Sequence, residues 1–335
     1  MTRLDADHLA GRVDPRLSRR RLLSLGVGAF AVAALPLGRR GRRALVRRTV
    51  PVMGTLAEVA VVSDDAVRTR SAIAAAFDSL RSVERAMSPF RPDSDLSRVN
   101  RSAGGAAEAV SPGTAQVLAE SLRWAEASRG AFDPCLGRAV DLWDVTRRQA
   151  PPSPGQVRRF AGQQLYRALE LGRRDGMPVA RLAGPEAQLD LGGIAKGYGV
   201  DRAVEILRAH GVERALVSAG GDLYALGRSE DGDAWQVGVR DPEDPTRIAH
   251  VLRVVDAGIA TSGDYFRYFD HAGRRYHHLL DPGSGAPRRG PSHSVTVVAD
   301  SCMQADAAAT AVFGLARERA EGMLAACAPA ARIAG

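Results

Sequence analysis

Asp306 and Thr310 stand four residues apart in Ala305-Asp306-Ala307-Ala308-Ala309-Thr310-Ala311. On a helix that spacing puts both side chains on one face. Their neighbours are nearly all alanine, so little on that face obstructs close approach. A carboxylate and a hydroxyl are hard oxygen donors suited to magnesium, which would complete its octahedral shell with phosphate oxygens and water. The same pair also fits an ordinary role as a helix-start charge and a packed polar residue.

Three further groups carry possible chemistry. Gly192-Gly193-Ile194-Ala195-Lys196-Gly197 follows the short apolar run Gln188 to Leu191. Glycines let backbone approach an anion, and a helix starting there offers free N–H groups. Lys196 is the only lysine of the chain, every other basic residue outside histidine being arginine. It adds a compact ammonium. A plain tight turn with a solvated lysine fits the same residues, and the spacing is neither a P-loop nor a dinucleotide fingerprint. Thr261-Ser262-Gly263-Asp264-Tyr265 and His277-His278-Leu279-Leu280-Asp281-Pro282 supply hydroxyls, acids and two histidines in loops. His278 could carry a proton near neutral pH, although histidines are more often structural. In Gly130-Ala131-Phe132-Asp133-Pro134, Phe132 could pack on a flat ring and Asp133 could accept hydrogen bonds from a base or flavin edge. An apolar anchor followed by a turn accounts for that segment equally.

These residues need a scaffold. Val50 to Val62 reads as a strand interrupted at Met53-Gly54-Thr55. Ala66 to Met87 reads as a helix, with apolar residues near a 3.6-residue period, stopped by Pro89. Arg91 to Asn100 reads as a polar loop. Ser111 caps a helix with Pro112 in its first turn, running to about Ser128. Pro154 to Leu171 holds a further helix. Gln188 to Leu191 is a short strand. A helix with Val200, Ala203, Val204 and Leu207 on one face ends near Gly211. Ala215 to Ser218 and Asp222 to Leu226 form a hairpin around Gly220-Gly221. Trp235 to Arg240, Ala249 to Val255 and Ser294 to Val298 are strands, and a final helix covers Met303 to Ala316. Strands and helices without strict alternation make this an α+β chain.

The chain has 335 residues and a formal net charge of +8. Residues 1–48 hold twelve arginines against three acids, which leaves the remainder slightly acidic. A basic face for nucleic acid is therefore excluded as the source of the high pI. Arg19-Arg20-Arg21 before the apolar run Leu22 to Leu37 reads as a Tat-type export signal, with Ala31-Val32-Ala33 as a small-residue cleavage site. Gly26, Gly28 and Pro36 make the run a poor permanent span. Left uncleaved, it would be the chain's one membrane contact. The expected organisation is 1–48, signal and basic linker, then 49–335, one domain in an extracytoplasmic location. Cys135, Cys302 and Cys327 match no zinc spacing and read as buried small hydrophobes.

Taken together, the segments resemble the ApbE family, the FAD:protein FMN transferases. The resemblance runs in order through Val52-Met53-Gly54-Thr55, Met87-Ser88-Pro89-Phe90, Asp95 to Asn100, Gly130 to Asp133 and Leu189 to Tyr198. It continues through Ser218 to Asp222, Thr261 to Asp264, His278 to Pro282 with Gly285, and Ala305 to Ala311. It implies a two-lobed α+β fold of mixed or antiparallel sheets and packed helices, with the FAD site between the lobes. It implies transfer of FMN from FAD to a threonine hydroxyl of an exported acceptor protein, with magnesium, releasing AMP. Met53, Phe90, Ala131, Phe132, Asp133, Asp190, Lys196 and Leu279 would lie along FAD. The Gly193 carbonyl, Asp306 and Thr310 would hold the metal, and His278 with Lys196 would serve the reacting phosphate. Phe90 stands where many members have tyrosine, and His277 precedes His278 where a smaller residue is common. FAD hydrolysis to AMP and free FMN is the rival reading, and a non-catalytic flavin-binding protein a second.

Overall fold

The computed structural model describes residues 44–244 and 246–334, together with the backbone of two short strands, Leu23–Leu25 and Phe30–Ala34. The twin arginine and most of the basic linker lie outside the described residues. The end of that linker does not: Ala44 to Arg48 already belong to a strand, Ala44–Val52.

A seven-stranded antiparallel sheet forms the centre. Its order is Arg332–Ala334, Ser294–Ala299, Ala257–Gly263, Asp222–Leu226, Ala215–Ala219, Thr55–Ser63 and Ala44–Val52. The two strands at the last edge form a hairpin whose loop is Met53-Gly54, because Val52 pairs with Thr55. Both loop residues have positive φ, 54° and 67°. That suits the right-handed twist of the flanking strands, and it explains why the apparent single strand breaks there.

Eight α-helices occur among the described residues: α1 (Ala66–Met87), α2 (Asp95–Arg101), α3 (Pro112–Ala127), α4 (Gly137–Trp143), α5 (Pro154–Arg158), α6 (Ala195–Ala209), α7 (Cys302–Val312) and α8 (Arg317–Cys327). Asp65 caps α1 by accepting from the Val67 and Arg68 N–H groups, 3.0 Å each. The buried stripe Ile73, Ala76, Phe77 and Leu80 packs with Val200, Ala203, Val204 and Leu207 of α6 and with the sheet residues Val59 and Val217, while Val83 joins a second cluster with Met87 and Leu96. The alanines of α7 are fully buried against the other end of the sheet. None of the helices among the described residues is long and apolar enough to cross a membrane.

Smaller sheets flank the centre. Glu108–Ala109, Met177–Leu182 and Leu169–Arg174 make one, and the hairpin Tyr268–His271 with Arg274–His277 another. Trp235–Arg240 pairs with Ile248–Val254 on one side and Phe30–Ala34 on the other.

Five expectations are corrected. Arg91 to Asn100 is not all loop: Ser94 accepts from the Ser97 N–H and starts α2. The helix expected from Pro154 to Leu171 stops at Arg158. Positive φ at Gly162 and Gln164 turns the chain into a short 3-10 turn and then the strand Leu169–Arg174. Gln188 to Leu191 makes only an isolated bridge, Gln188 to Leu136. The final helix ends at Val312 rather than Ala316, and a further helix, α8, follows from Arg317, where none was expected. The strand placed at Ala249 to Val255 runs Ile248–Val254, one residue earlier at each end. All three cysteines are buried and free, as expected.

Candidate functional site

The Gly192-Gly193 turn delivers Lys196 into the first turn of α6, where its ammonium meets two carboxylates from distant parts of the chain. Lys196 Nζ lies 2.8 Å from Asp222 Oδ2 and 3.2 Å from Asp306 Oδ2. The Gly197 N–H also donates to Asp306 Oδ2 at 3.1 Å. Asp222 opens its strand and is 2% exposed; Asp306 sits in α7 at 4%. Thr310, one turn further along α7, donates its hydroxyl to the Gly193 carbonyl at 3.4 Å. A Cβ on Gly193 would come within 2.8 Å of the Thr310 side chain, so only glycine permits this approach.

Asp201 of α6 fixes the two helices relative to each other. Its two oxygens accept from the Cys302 and Met303 N–H groups at the start of α7, 2.8 Å each. Burial works against the Lys196 charge, but Asp222 and Asp306 outweigh it and hold the ammonium above its ordinary range. Burial, then the Asp306 carboxylate, push the Asp222 carboxyl up, with Lys196 pulling back. The result is a buried ionic floor fixed when the chain folds.

Among the described residues, no three His, Cys, Asp or Glu side chains gather as a metal-binding group. What converges instead is the Asp306 carboxylate, the Thr310 hydroxyl and the Gly193 carbonyl, with Asp222 beside them. All are hard oxygens, and Asp222 Oδ2, though ion-paired, makes no hydrogen bond. This donor set fits a magnesium ion that keeps waters and takes substrate phosphate oxygens, and does not fit a soft or fully protein-caged metal.

Asp190 adjoins the floor. Its Oδ1 accepts from the Gly192 N–H at 2.7 Å, and burial raises its carboxyl against that bond. Its own N–H donates to the Pro134 carbonyl at 2.8 Å, which ties it to the Ala131–Asp133 segment. There, Phe132 is buried in the core, so its ring is not available for stacking. Asp133 accepts from the Cys135 N–H through Oδ1, while its buried Oδ2 has no partner. Burial pushes this carboxyl up to about 6, against the backbone N–H groups of Cys135, Tyr166 and Leu165.

The two histidines differ. His277 is buried with both ring nitrogens committed: Nε2 donates to the Arg288 carbonyl at 2.9 Å and Nδ1 accepts from the Leu279 N–H at 3.2 Å. His278 is half-buried, and its Nδ1 faces the Arg267 carbonyl at 3.3 Å. With Nδ1 donating, Nε2 is left as the acceptor. Burial is the main cause that lowers its pKa to about 4; nearby Arg267, His277 and Lys196 act in the same direction. The ring is therefore neutral near pH 7.

The remaining expected residues sit around this frame. The Met53 N–H donates to Glu84 Oε1 at 2.8 Å, and its thioether lies against Gly199 of α6. Leu279 links the histidine pair to Arg288 through its carbonyl. Phe90, beyond the end of α1, is 90% exposed. The structure thus gathers Gly193, Lys196, Asp306 and Thr310 into one cluster, with Asp190 attached. Through Arg288 it links Leu279 and His277 to the Ala131 segment. Sequence reasoning missed Asp222, Arg267 and Arg288. An acid opening the otherwise apolar strand Asp222–Leu226 was the available signal for the first.

The ApbE family model matches residues 53–333. The FAD:protein FMN transferase of Treponema pallidum (strain Nichols) is 37% identical over 316 residues, covering 89% of this chain and 87% of the relative. That of Vibrio cholerae is 32% identical over 271 residues, covering 80% and 81%. Among solved structures, the flavin transferase ApbE from Vibrio cholerae aligns with a TM-score of 0.72 at 30% identity, over 84% of this chain and 90% of that one. The ApbE protein from Thermotoga maritima aligns at 0.78 and 28%, over 87% and 93%.

Proposed function

The chain belongs to the ApbE family, and on that premise we propose that it transfers FMN from FAD to a threonine hydroxyl of an acceptor protein, using magnesium. The observation that carries this reading is the shared placement of Lys196, Asp222 and Asp306 beside the Gly193 carbonyl and the Thr310 hydroxyl. A diphosphate needs positive charge and hard oxygen neighbours of this kind as its bridging bond breaks.

Asp306, Thr310 and the Gly193 carbonyl would hold the magnesium ion. When bound, it would supply Lewis-acid neutralisation of the diphosphate. The residues of the chain do the rest. Lys196 places an ammonium at the phosphates, and the carboxylates on either side fix its position. The neutral His278 ring takes the proton from the acceptor hydroxyl at Nε2. A bond forms between the hydroxyl oxygen and the FMN phosphorus, the bond from that phosphorus to the bridging oxygen breaks, and AMP leaves. Phe90, Met53, Asp133, Asp190 and Leu279 bind the two ends of the dinucleotide, Phe90 by stacking. The apolar run behind Arg19-Arg20-Arg21 directs the protein, and with it the reaction, outside the cytoplasm.

The direct test is mass spectrometry of an exported acceptor domain incubated with the protein, FAD and magnesium. A gain of one FMN on a threonine, matched by AMP and abolished by chelation, is expected. AMP with free FMN and no mass gain would replace transfer with hydrolysis.

A further inference from the structure

Arg288 is 8% exposed, and its guanidinium lies where two segments of the site approach each other. Nη1 donates to the carbonyls of Ala311 at 2.7 Å and Phe313 at 3.0 Å. Nη2 donates to the Ala131 carbonyl at 2.9 Å. The nearest carboxylate is Asp281, at 4.0 Å. The backbone of the same residue holds the histidine segment: its N–H donates to the Leu279 carbonyl at 2.8 Å and its carbonyl accepts from His277 Nε2.

Each contact answers a need. The last carbonyls of a helix have no partner within it, and α7 is cut short at Phe313. A cation there also faces the negative end of the helix dipole. The Ala131 carbonyl belongs to a loop that begins at Gly130, with positive φ. A forked guanidinium can donate to two segments at once in one plane, which a lysine cannot.

We propose that Arg288 is a positioning residue for the reaction. It fixes the Ala131–Asp133 segment against the C-terminal end of α7, and so sets the separation between the dinucleotide-binding loop and the carboxylates of the floor. The assignment rests on the FMN-transfer reading above. Arg288 touches no reacting atom. It acts through Ala131 and α7, so its loss registers in FAD affinity before it registers in chemistry.

The test uses the full chain, with Arg288→Lys and Arg288→Ala. FAD binding is read by flavin fluorescence, and AMP release is read separately. For Arg288→Lys, the dissociation constant and the KM for FAD are expected to rise about tenfold, the scale of a lost charge-assisted hydrogen bond, with kcat within about threefold. For Arg288→Ala, added methylguanidinium is expected to restore part of the FAD affinity. If Arg288→Ala fails to fold, the KM-against-kcat split in Arg288→Lys decides. Lower thermal stability with unchanged FAD affinity and KM would reduce Arg288 to a structural residue and overturn the proposal. Wild-type protein that binds FAD but releases no AMP would remove the transfer reading while the binding comparison still judged Arg288.

Discussion

Asp222 and Asp306 lie almost fully buried beside Lys196, whereas Phe90 stands largely in solvent and Phe266 is 40% exposed. The floor carries charge in a dry place, and every part of it is held: Asp201 joins α6 to α7, Gly197 donates to Asp306, and Thr310 donates to Gly193. The exposed aromatics have few such ties, although the Phe266 ring leans on Tyr265 with centroids 4.4 Å apart. Folding has already met the cost of assembling the floor, so its dipoles need not reorganise when charge develops. The exposed rings gain only when something covers them, because apolar area contributes when it leaves water. The transfer proposed above would assign chemistry to the first region and capture to the Phe90 side.

The sharpest break would come at Asp306. Asp306→Ala is expected to lower FAD-dependent AMP release by about 10³-fold, the upper range for removing one electrostatic element, and to abolish its magnesium response. Wild-type rates at wild-type magnesium concentrations would unmake the floor as the chemical centre. Next is Lys196→Met, which leaves two buried carboxylates facing each other. A loss of about 3 kcal/mol in denaturant unfolding is expected, since breaking a buried ion pair strands its charge. Adding Asp222→Asn should recover much of it, and a single variant as stable as wild type would show the pairing to be idle.

His278→Gln comes next. It is expected to lower kcat about 10²-fold with little change in FAD affinity. The acting form is the neutral ring, present above its pKa. Burial lowers that pKa to about 4, so activity should persist as pH falls below neutrality and be lost only as it passes through about 4. An acid limb near the ordinary imidazole value would argue against His278. The smallest effect belongs to the rim: Phe90→Ala should raise the KM for FAD about threefold to tenfold, the scale of one aromatic contact, without altering thermal stability. A drop in stability would mean that Phe90 is packed rather than poised.

How much of this was legible follows from which forces are local. Asp65 and the 3.6-residue apolar stripe specify α1 within a single stretch of chain, and its limits, Ala66–Met87, are those the pattern predicts. Ser111 with Pro112 does the same for α3. The spacing of Asp306 and Thr310 put both on one helix face, where they are found. Gln188 to Leu191 misled because an apolar run is as much core anchor as strand, and only a partner strand could decide; Leu189 and Leu191 are buried without one. The turn after Arg158 was hidden because Gln164 adopts positive φ, which its residue type does not announce.

The sequence by itself determined the limits of α1 and the start of α3, the family, and a set of chemically capable residues from Met53 to Thr310. The partners of Lys196 and Arg288 were decided only by tertiary structure. Asp222 and Asp306 reach one ammonium because a hairpin strand, α6 and α7 converge at one end of a sheet. Ala131 and the end of α7 meet one guanidinium because α7 stops at Phe313. Such pairings depend on sheet order and helix packing, which arise from burial summed over the whole chain rather than from any one segment.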